Sequence, residues 1–312
     1  MSSFRFGLHA FASPAHDEWV ELARRAEGDG FSAFTMPDHL LEGCLPPFAA
    51  LGVAAEATST LRLGTLVLNN ELRHPALAAR EALALDALSG GRFELGVGAG
   101  SAMSGPEFES IGMDYGTAAT RVARLAEALD IMDGLLRGDA VTVSGDHYRL
   151  DAFRAWPPPT QTPRLPIVVG GGGRRVLRLA GAHADVVALS GLGRAKVEDD
   201  RHEVSGFTPA AVDAQVEAVR SASTGRKVEL QVLVQAVVVT EDARAAAEEI
   251  RVRLPELTVD DVLATPYVWV GSVESICEQA VEARERWGIT YFSIFEHSLD
   301  AAAPIVGRLA GT

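Results

Sequence analysis

LPIVVGGGGRRVLRLAGAHADVVAL, residues 165–189, is the segment that points most directly to the fold. Its apolar start, 165–169, predicts a buried strand, and four consecutive glycines follow it. Residues 174–181 have the pattern of a short helix, and a second apolar run at 185–189 predicts the next strand. A strand, a helix and a strand in this order are typical of parallel sheets, because parallel neighbours need a crossover connection.

The same alternation continues along the chain in both directions. Further strands are predicted at 4–10, 31–36, 61–68, 92–97, 228–240 and 290–295. Further helices are predicted at 16–27, 47–58, 75–88, 117–137, 209–221, 243–254, 272–287 and 301–309. Eight strands, each followed by at least one helix, indicate the α/β class and a closed (β/α)₈ TIM barrel.

Two segments depart from this alternation. Residues 141–150, after the fourth strand, have a Ser-Gly-Asp turn between strand-like stretches and predict a β-hairpin insertion. Residues 191–206 are polar and contain glycine, which indicates a mobile loop. No break in composition suggests a second domain, so we expect one domain over 1–312. An open doubly wound sheet is the alternative, but no strand-Gly-x-Gly-x-x-Gly-helix unit stands near the N-terminus.

Composition restricts the partners and the compartment. The chain has 312 residues, with 28 Lys and Arg against 42 Asp and Glu, and a formal net charge of −14. This charge argues against nucleic acid and against an anionic membrane as partners. We find no secretory signal and no apolar run near the ~20 residues that span a bilayer. Two cysteines are too few for a disulfide framework or a zinc site, so a cytoplasmic location is expected.

In a barrel of this kind the active site lies at the carboxyl ends of the strands. Asp38 and His39 follow the second strand, where the carboxylate could fix the tautomer of the imidazole for proton transfer. Adjacent residues on a strand point in opposite directions, so a structural histidine that caps the loop is the alternative. The strand ends show no regular set of metal ligands, and we expect no metal.

The glycine loop at 170–173, followed by Arg174 and Arg175, predicts a phosphate site. Glycines allow backbone N–H groups to turn toward an anion, and a helix N-terminus adds partial positive charge. A tight turn with surface arginines is the alternative, but four glycines exceed what a turn needs. A second run, Gly98-Ala99-Gly100-Ser101, lacks the third glycine of a dinucleotide fingerprint. It either leaves room for a flat ligand over the strand ends or permits close packing.

Several of these segments together resemble the bacterial luciferase-like superfamily of flavin or deazaflavin oxidoreductases. More narrowly, the chain is similar to the actinobacterial branch that uses the deazaflavin coenzyme F420. The matching segments, which extend over essentially the whole chain, are 31–40 (FSAFTMPDHL), 61–75 (LRLGTLVLNNELRHP), 88–100 (LSGGRFELGVGAG), 166–178 (PIVVGGGGRRVLR) and 266–271 (PYVWVG).

The resemblance implies a flat ring over the strand ends, with His39 facing it. It also implies a non-proline cis peptide at Leu66-Val67, which forms a bulge behind the ring. The glycine loop with Arg174 corresponds to the phosphate cradle of the family, and Ser190-Gly191 to a second phosphate contact. The cofactor-binding residues expected on this basis are Asp38, Leu66, Val67, Asn69, Gly98, Gly100, Ser101, Gly170, Gly171, Gly172, Gly173, Arg174, Ser190 and Gly191.

The chain departs from the family pattern at one position. Sugar-phosphate dehydrogenases of the family have an acidic glutamate after the Gly-x-Gly of strand four, and this chain has Ser101 there. That difference argues against the same activity. A proton donor would then be His39, Glu71 or Glu296.

The resemblance implies a homodimeric oxidoreductase that transfers a hydride between coenzyme F420 and a small organic substrate. A two-component monooxygenase is the alternative; it would take FMNH₂ from a partner reductase, with 191–206 as a lid over the site. A barrel subunit that only binds flavin, or a degenerate barrel, is the non-catalytic alternative. The intact glycine loop and His39 argue against it.

Overall fold

The barrel strands are buried apolar segments separated by amphipathic helices. The computed structural model describes residues 2–11, 15–192, 195–196 and 201–312. Strands are numbered along the chain, and the barrel consists of β1 (Arg5–His9), β2 (Ala33–Met36), β3 (Arg62–Thr65) with its continuation β4 (Leu68–Asn69), β5 (Phe93–Gly98), β8 (Ile167–Gly171), β9 (Val186–Leu189), β12 (Glu229–Val234) and β15 (Ile289–Phe295). All neighbours are parallel; β1 pairs with β15, and β3 pairs with β5, which closes the sheet. The predicted (β/α)₈ barrel is confirmed.

The helices surround this barrel, and most begin and end where the sequence indicates. They are α1 (His16–Gly28), α2 (Pro47–Ala57), α3 (Pro75–Leu88), α4 (Gly105–Ser110), α5 (Ala118–Arg137), α6 (Arg174–His183), α7 (Pro209–Arg220), α8 (Ala243–Arg253), α9 (Val259–Ala264), α10 (Val273–Trp287) and α11 (Leu299–Leu309). Capping explains the sharp ends: Thr117 caps α5, and Gly138 ends it at a φ of 86°. The short α4 and α9 were not predicted, because six residues are too few to show a 3.6-residue period. In the described part of the chain, no helix has both the length and the apolar character needed to cross a membrane.

Alternation along the strands separates the core into two layers. Phe6 and Leu8 of β1 are fully buried in the large apolar layer between barrel and helices. Gly7, between them, faces the barrel interior, where a Cβ would lie 2.9 Å from Ser293 Oγ and 3.1 Å from the Tyr291 ring. The glycine therefore leaves room inside the barrel for the Ser293 and Tyr291 side chains of the adjacent strand β15.

A charged network closes the interior at the amino ends of the strands. Arg5 Nη2 lies 2.8 Å, and Arg62 Nε 2.5 Å, from the same Glu94 oxygen, and Arg5 Nη1 lies 2.6 Å from Glu229 Oε2. The Arg5 guanidinium also stacks over Tyr291 at 4.3 Å. Burial alone would raise the pKa of Glu94, but Arg5 and Arg62 outweigh burial and hold it below its usual value.

The predicted seventh strand, 228–240, is wrong as a single strand. The structure has two: β12 in the barrel and β13 (Ala236–Val239), which pairs with β14 (Val268–Gly271) outside it. The chain leaves the barrel at Gln235, whose N–H donates to Tyr267 O at 2.7 Å. A continuous β-branched run predicts extended backbone, but the pairing partner depends on residues about thirty positions further on.

The insertion after the fourth barrel strand is the predicted hairpin. β6 (Ala140–Ser144) and β7 (Arg149–Arg154) are antiparallel. Glu127 of α5 holds the turn, because its carboxylate accepts the N–H groups of Asp146, His147 and Tyr148 at 3.1, 3.0 and 3.2 Å. The hairpin thereby lies beside the end of β4, where Asn70 Nδ2 donates to Tyr148 Oη at 3.1 Å.

The segment 191–206, predicted to be a loop, contains some regular backbone. β10 (Ala195–Lys196) and β11 (Arg201–His202) pair in an antiparallel arrangement, and a 3₁₀ turn follows at Ser205–Phe207. Residues 193–194 and 197–200, which also belong to the predicted loop and lid, lie outside the described residues.

Candidate active site

Asp38 and His39 follow β2 at the carboxyl end of the barrel, as predicted, but they have different partners. Asp38 Oδ2 lies 2.5 Å from Arg73 Nη1 and accepts the Asn69 N–H at 3.2 Å. Burial raises the pKa of Asp38 above its usual value, and Arg73 opposes that shift. Asp38 thus ties the β2 end to the β4 end, which gives it a supporting role beside the imidazole.

The partner of His39 is Glu107 of α4. His39 Nδ1 lies 2.9 Å from Glu107 Oε1, and the other carboxylate oxygen accepts the Leu40 N–H at 2.6 Å. Glu107 is buried, whereas about a third of the His39 side chain is exposed at the barrel mouth. The histidine is therefore held from one side and open on the other.

Polar groups after β4 form a second cluster. Asn69 Nδ2 contacts Tyr115 Oη at 3.4 Å. Glu71, a predicted proton donor, forms an ion pair with Arg124 of α5, and its side chain is almost completely buried. Because its carboxylate is already engaged by Arg124, Glu71 is a weaker candidate for contact with a ligand than the sequence alone indicates.

The third barrel strand is broken between β3 and β4, at the predicted position. The Leu66-Val67 peptide is cis, which confirms the expectation from the family resemblance. The Val67 side chain lies over glycines of two other strands: a Cβ at Gly98 would lie 2.8 Å from Val67 Cγ2, and one at Gly170 would lie 2.9 Å from Cγ1. The glycines therefore leave space for a small apolar platform at the barrel mouth.

The glycine run forms the end of β8 and the start of α6. Gly173 is the N-cap of α6 and has no side chain to satisfy the first N–H groups of the helix. A Cβ at Gly172 would lie 2.8 Å from Ser190 Oγ and 2.9 Å from Leu192 O, so this loop lies directly against the β9 end. Arg174 is exposed, and within the described part of the chain it has no ion pair. These features form a cradle of N–H donors beside the exposed side chain of Arg174.

The predicted second phosphate contact lies next to this cradle. The Ser190 N–H donates to Gly171 O at 3.3 Å, which joins the β9 end to the glycine run. Gly191 has a φ of 63°, and a Cβ there would lie 2.7 Å from both Phe207 and Tyr267. Only glycine fits at this turn, so the cradle is continued by backbone rather than by side chains.

An aromatic group lines the mouth on the side of β1 and β15. His9 lies edge-on to Phe11 and Phe295, with ring centroids 5.6 and 5.4 Å apart, and its Nδ1 is 3.1 Å from Thr35 Oγ1. Burial lowers the pKa of His9 to about 3, and the nearby His39 adds to the shift. His9 is therefore neutral at physiological pH.

Glu296, the third predicted proton donor, follows β15 near this aromatic group. Its carboxylate accepts the Phe11 N–H, and burial raises its pKa above the usual value. A raised pKa suits a group that delivers a proton near neutral pH.

The second glycine run is shaped by α5 and its preceding loop. Gly100 has a φ of 66°, and a Cβ there would overlap Tyr115 Oη. Arg121 of α5 donates to Ala99 O at 3.0 Å and stacks over Tyr115 at 4.1 Å. Ser101 caps a 3₁₀ turn by accepting the Met103 N–H at 3.2 Å. Ser101 thus caps a turn at the position where, according to the family resemblance, sugar-phosphate dehydrogenases have a glutamate.

Comparison with known proteins identifies the family of this chain. The family model described as luciferase-like monooxygenase matches residues 1–258. The chain belongs to the luciferase-like monooxygenase family. An F420-dependent glucose-6-phosphate dehydrogenase of Mycobacterium avium (strain 104) is 33% identical over 217 residues, which are 64% of this chain and 61% of that protein. The 4-hydroxyprotoasukamycin monooxygenase of Streptomyces nodosus subsp. asukaensis is 37% identical over 179 residues, 53% of this chain and 47% of that protein.

These matches therefore span less than two thirds of the curated luciferase-like relatives. A solved structure, an F420-dependent secondary alcohol dehydrogenase in complex with an F420-acetone adduct, has a TM-score of 0.74 at 20% identity. The alignment covers 98% of both chains. At this identity the likeness establishes the shared barrel fold over 98% of this luciferase-like chain.

Sequence reasoning missed several residues of this luciferase-like site: Arg73, Glu107, Tyr115, Arg124 and Tyr148. Tyr148 contacts Asn70, and each of the other four contacts a predicted residue that is far away in sequence; Glu107 and His39 are 68 positions apart. Glu107 lies on an unpredicted short helix, and the two arginines lie within loops or helices that carry many charges. No local pattern distinguishes such partners, because the barrel alone brings the strand ends together.

Proposed function

We propose that this protein is a coenzyme F420-dependent oxidoreductase that acts on a small, uncharged organic molecule. The observation that carries the proposal is the cradle formed by the glycine run 170–173, the uncapped N-terminus of α6 and the exposed Arg174. Such a helix end binds phosphate through backbone N–H groups and the helix dipole, and an arginine adds charge-assisted hydrogen bonds.

The residues of the mouth fit a flat ring beside that cradle. Val67 stands over Gly98 and Gly170, so a small apolar surface takes the place of larger side chains at these strand ends. When bound, F420 supplies the hydride donor or acceptor. The protein then contributes the phosphate contacts, the platform for the ring and a histidine, His39, that can hold a proton.

The rim beside His39 supports an uncharged substrate. Leu40 and Leu41 precede Cys44 in the loop after β2, and Ile111 and Met113 follow α4, and all four apolar side chains are exposed. The nearby arginines are engaged: Arg73 pairs with Asp38, and Arg124 pairs with Glu71. A sugar phosphate would need cations here that are not already engaged by carboxylates.

A second candidate is the two-component monooxygenase that uses FMNH₂ from a partner reductase. The 37% identity with the Streptomyces monooxygenase favours it. FMN also has a phosphate and a flat ring, so the cradle alone does not select between the two cofactors.

Direct binding measurements test both candidates. F420 and FMN, oxidised and reduced, would be titrated into the protein with fluorescence as the readout. We expect F420 to bind at least tenfold more tightly than FMN. The reverse order of affinities would favour the monooxygenase. If neither cofactor binds at micromolar concentrations, both candidate functions are contradicted.

The cradle itself is tested with two arginine variants of the same helix. Arg174→Ala should weaken F420 binding about tenfold, since a charge-assisted hydrogen bond contributes about 1.5 kcal/mol. Arg178→Ala is the matched control, because Arg178 is exposed one turn further along α6 and should leave the Kd unchanged. Equal affinities of wild type and Arg174→Ala would exclude the phosphate contact.

A further inference from the structure

Glu107 makes two hydrogen bonds that converge on one short stretch of backbone. One carboxylate oxygen lies 2.9 Å from His39 Nδ1, and the other accepts the N–H of the next residue, Leu40, at 2.6 Å. The carboxylate is buried, so little water competes for these contacts. The two hydrogen bonds therefore fix both the His39 imidazole and the adjoining backbone at Leu40.

The donor and acceptor roles follow from elementary chemistry. An ionised carboxylate can only accept hydrogen bonds, so the facing Nδ1 must carry a proton. In a neutral imidazole the other nitrogen, Nε2, then has a free lone pair. The geometry defines one tautomer of His39, with its acceptor nitrogen on the side away from Glu107.

The other ionisable groups near His39 do not compete for this role. Asp38 is bound to Arg73, and His9 is neutral because burial lowers its pKa to about 3. Burial also raises the pKa of the Cys44 thiol, which therefore stays protonated. Glu107 is the carboxylate in direct contact with the imidazole ring.

We propose that Glu107 is the positioning residue of this site. It holds His39 in the Nδ1–H tautomer, so that Nε2 accepts the proton of a bound substrate and returns it in the reverse direction. This role rests on the proposed function, since His39 is its proton-transfer group, but the tautomer can be observed without cofactor or substrate.

The test is a long-range ¹H–¹⁵N correlation spectrum of the ¹⁵N-histidine-labelled protein, recorded as the pH is raised until the His39 ring carries one proton. The chain has eight histidines, and the His39→Gln variant identifies the signals of His39 by their loss. We expect the wild-type protein to show only the Nδ1–H tautomer for His39. A spectrum with the proton on Nε2 would overturn the proposal.

Two variants and a matched control complete the experiment. Glu107→Ala removes both acceptors, and Glu107→Gln leaves one carbonyl oxygen for two N–H donors, so both should lose the single tautomer. Glu109→Gln changes an exposed glutamate of the same helix and should keep it. An unchanged His39 tautomer in both Glu107 variants would contradict the proposal.

Cofactor binding separates this proposal from the proposed function. The Kd of F420 should change less than about twofold in the Glu107 variants, because Glu107 contacts His39 and Leu40 rather than the cradle. Loss of the tautomer with retained F420 binding supports the positioning role. Failure of the wild-type protein to bind F420 would refute the proposed function, and the tautomer would still be measured.

Discussion

Both ends of the barrel contain ion pairs, but only the carboxyl ends also leave hydrogen-bond donors and an exposed cation open. At the amino ends, Glu94 lies between Arg5 and Arg62, and Arg5 reaches Glu229 as well, so each charge has a partner inside the network. At the carboxyl ends, the glycine cradle directs uncapped N–H groups outward beside Arg174, an exposed cation. Charges paired inside the barrel are satisfied by the protein itself, and loss of one partner would leave the other uncompensated, whereas the open N–H groups and the exposed cation of the cradle can meet a ligand.

Removal of the central carboxylate of the network at the amino ends should have the largest effect on stability. Glu94→Leu leaves Arg62 and part of Arg5 without a counter-ion in a buried setting, so the free energy of unfolding should fall by about 3 kcal/mol. Urea unfolding measures this loss. Glu21→Leu, at an exposed position of α1, is the control and should change stability little.

The same variant distinguishes the two ends of the barrel. The folded fraction of Glu94→Leu should bind F420 with a Kd within about threefold of wild type, because Glu94 lies at the opposite end from the cradle. A much larger loss of affinity would show that the two ends are coupled, and the comparison above would fail.

The stability of the protein should decrease in acid because of His9, at the barrel mouth. Its folded-state pKa of about 3 lies below the usual 6.5, so below pH 6.5 the unfolded chain binds a proton that the folded chain does not. Stability from this residue is therefore complete above pH 6.5 and is lost as the pH falls toward 3. At pH 5 the loss should be about 2 kcal/mol.

Urea unfolding of wild type and His9→Asn at pH 7 and pH 5 isolates this contribution. The variant should lose less stability between the two pH values, whereas His16→Asn, at an exposed histidine, should behave as wild type. An identical pH dependence for wild type and His9→Asn would show that His9 is not held neutral.

Substitution of the apolar platform at the barrel mouth should lower the free energy of unfolding by a smaller amount, and a second substitution should compensate for it. Gly98→Ala places a Cβ 2.8 Å from Val67 Cγ2, so we expect a loss of about 1 kcal/mol in the free energy of unfolding. Val67→Ala in the same chain removes that methyl group and should recover much of the loss. Additive losses in the double variant would mean that the two residues do not meet in solution.

Much of the fold could be predicted because its signals are local. The helix 117–137 shows its period within the segment, and the structure places α5 at Ala118–Arg137. The glycine run likewise marks the β8–α6 turn by itself. The single strand predicted at 228–240 was wrong, since β13 is defined by its pairing with the distant β14.

The candidate site divides in the same way. Position after a strand predicted Asp38, His39 and Glu296, since the topology places every such residue at the mouth. Their partners could not be predicted in this way. Arg73 comes from the loop before α3 and Glu107 from the short helix α4, and no local sequence feature indicates which distant residue each of them contacts.

The sequence by itself determined the barrel, the hairpin insertion and the backbone cradle, because apolar periodicity and glycine act through neighbouring residues. Only the tertiary structure decided which nitrogen of His39 faces a carboxylate, and that Glu71 is bound to Arg124. It also decided that Val67 lies over Gly98 and Gly170. The reason is physical: hydrogen bonds and close packing act over a few ångströms, and closure of the sheet decides which distant residues come within that range.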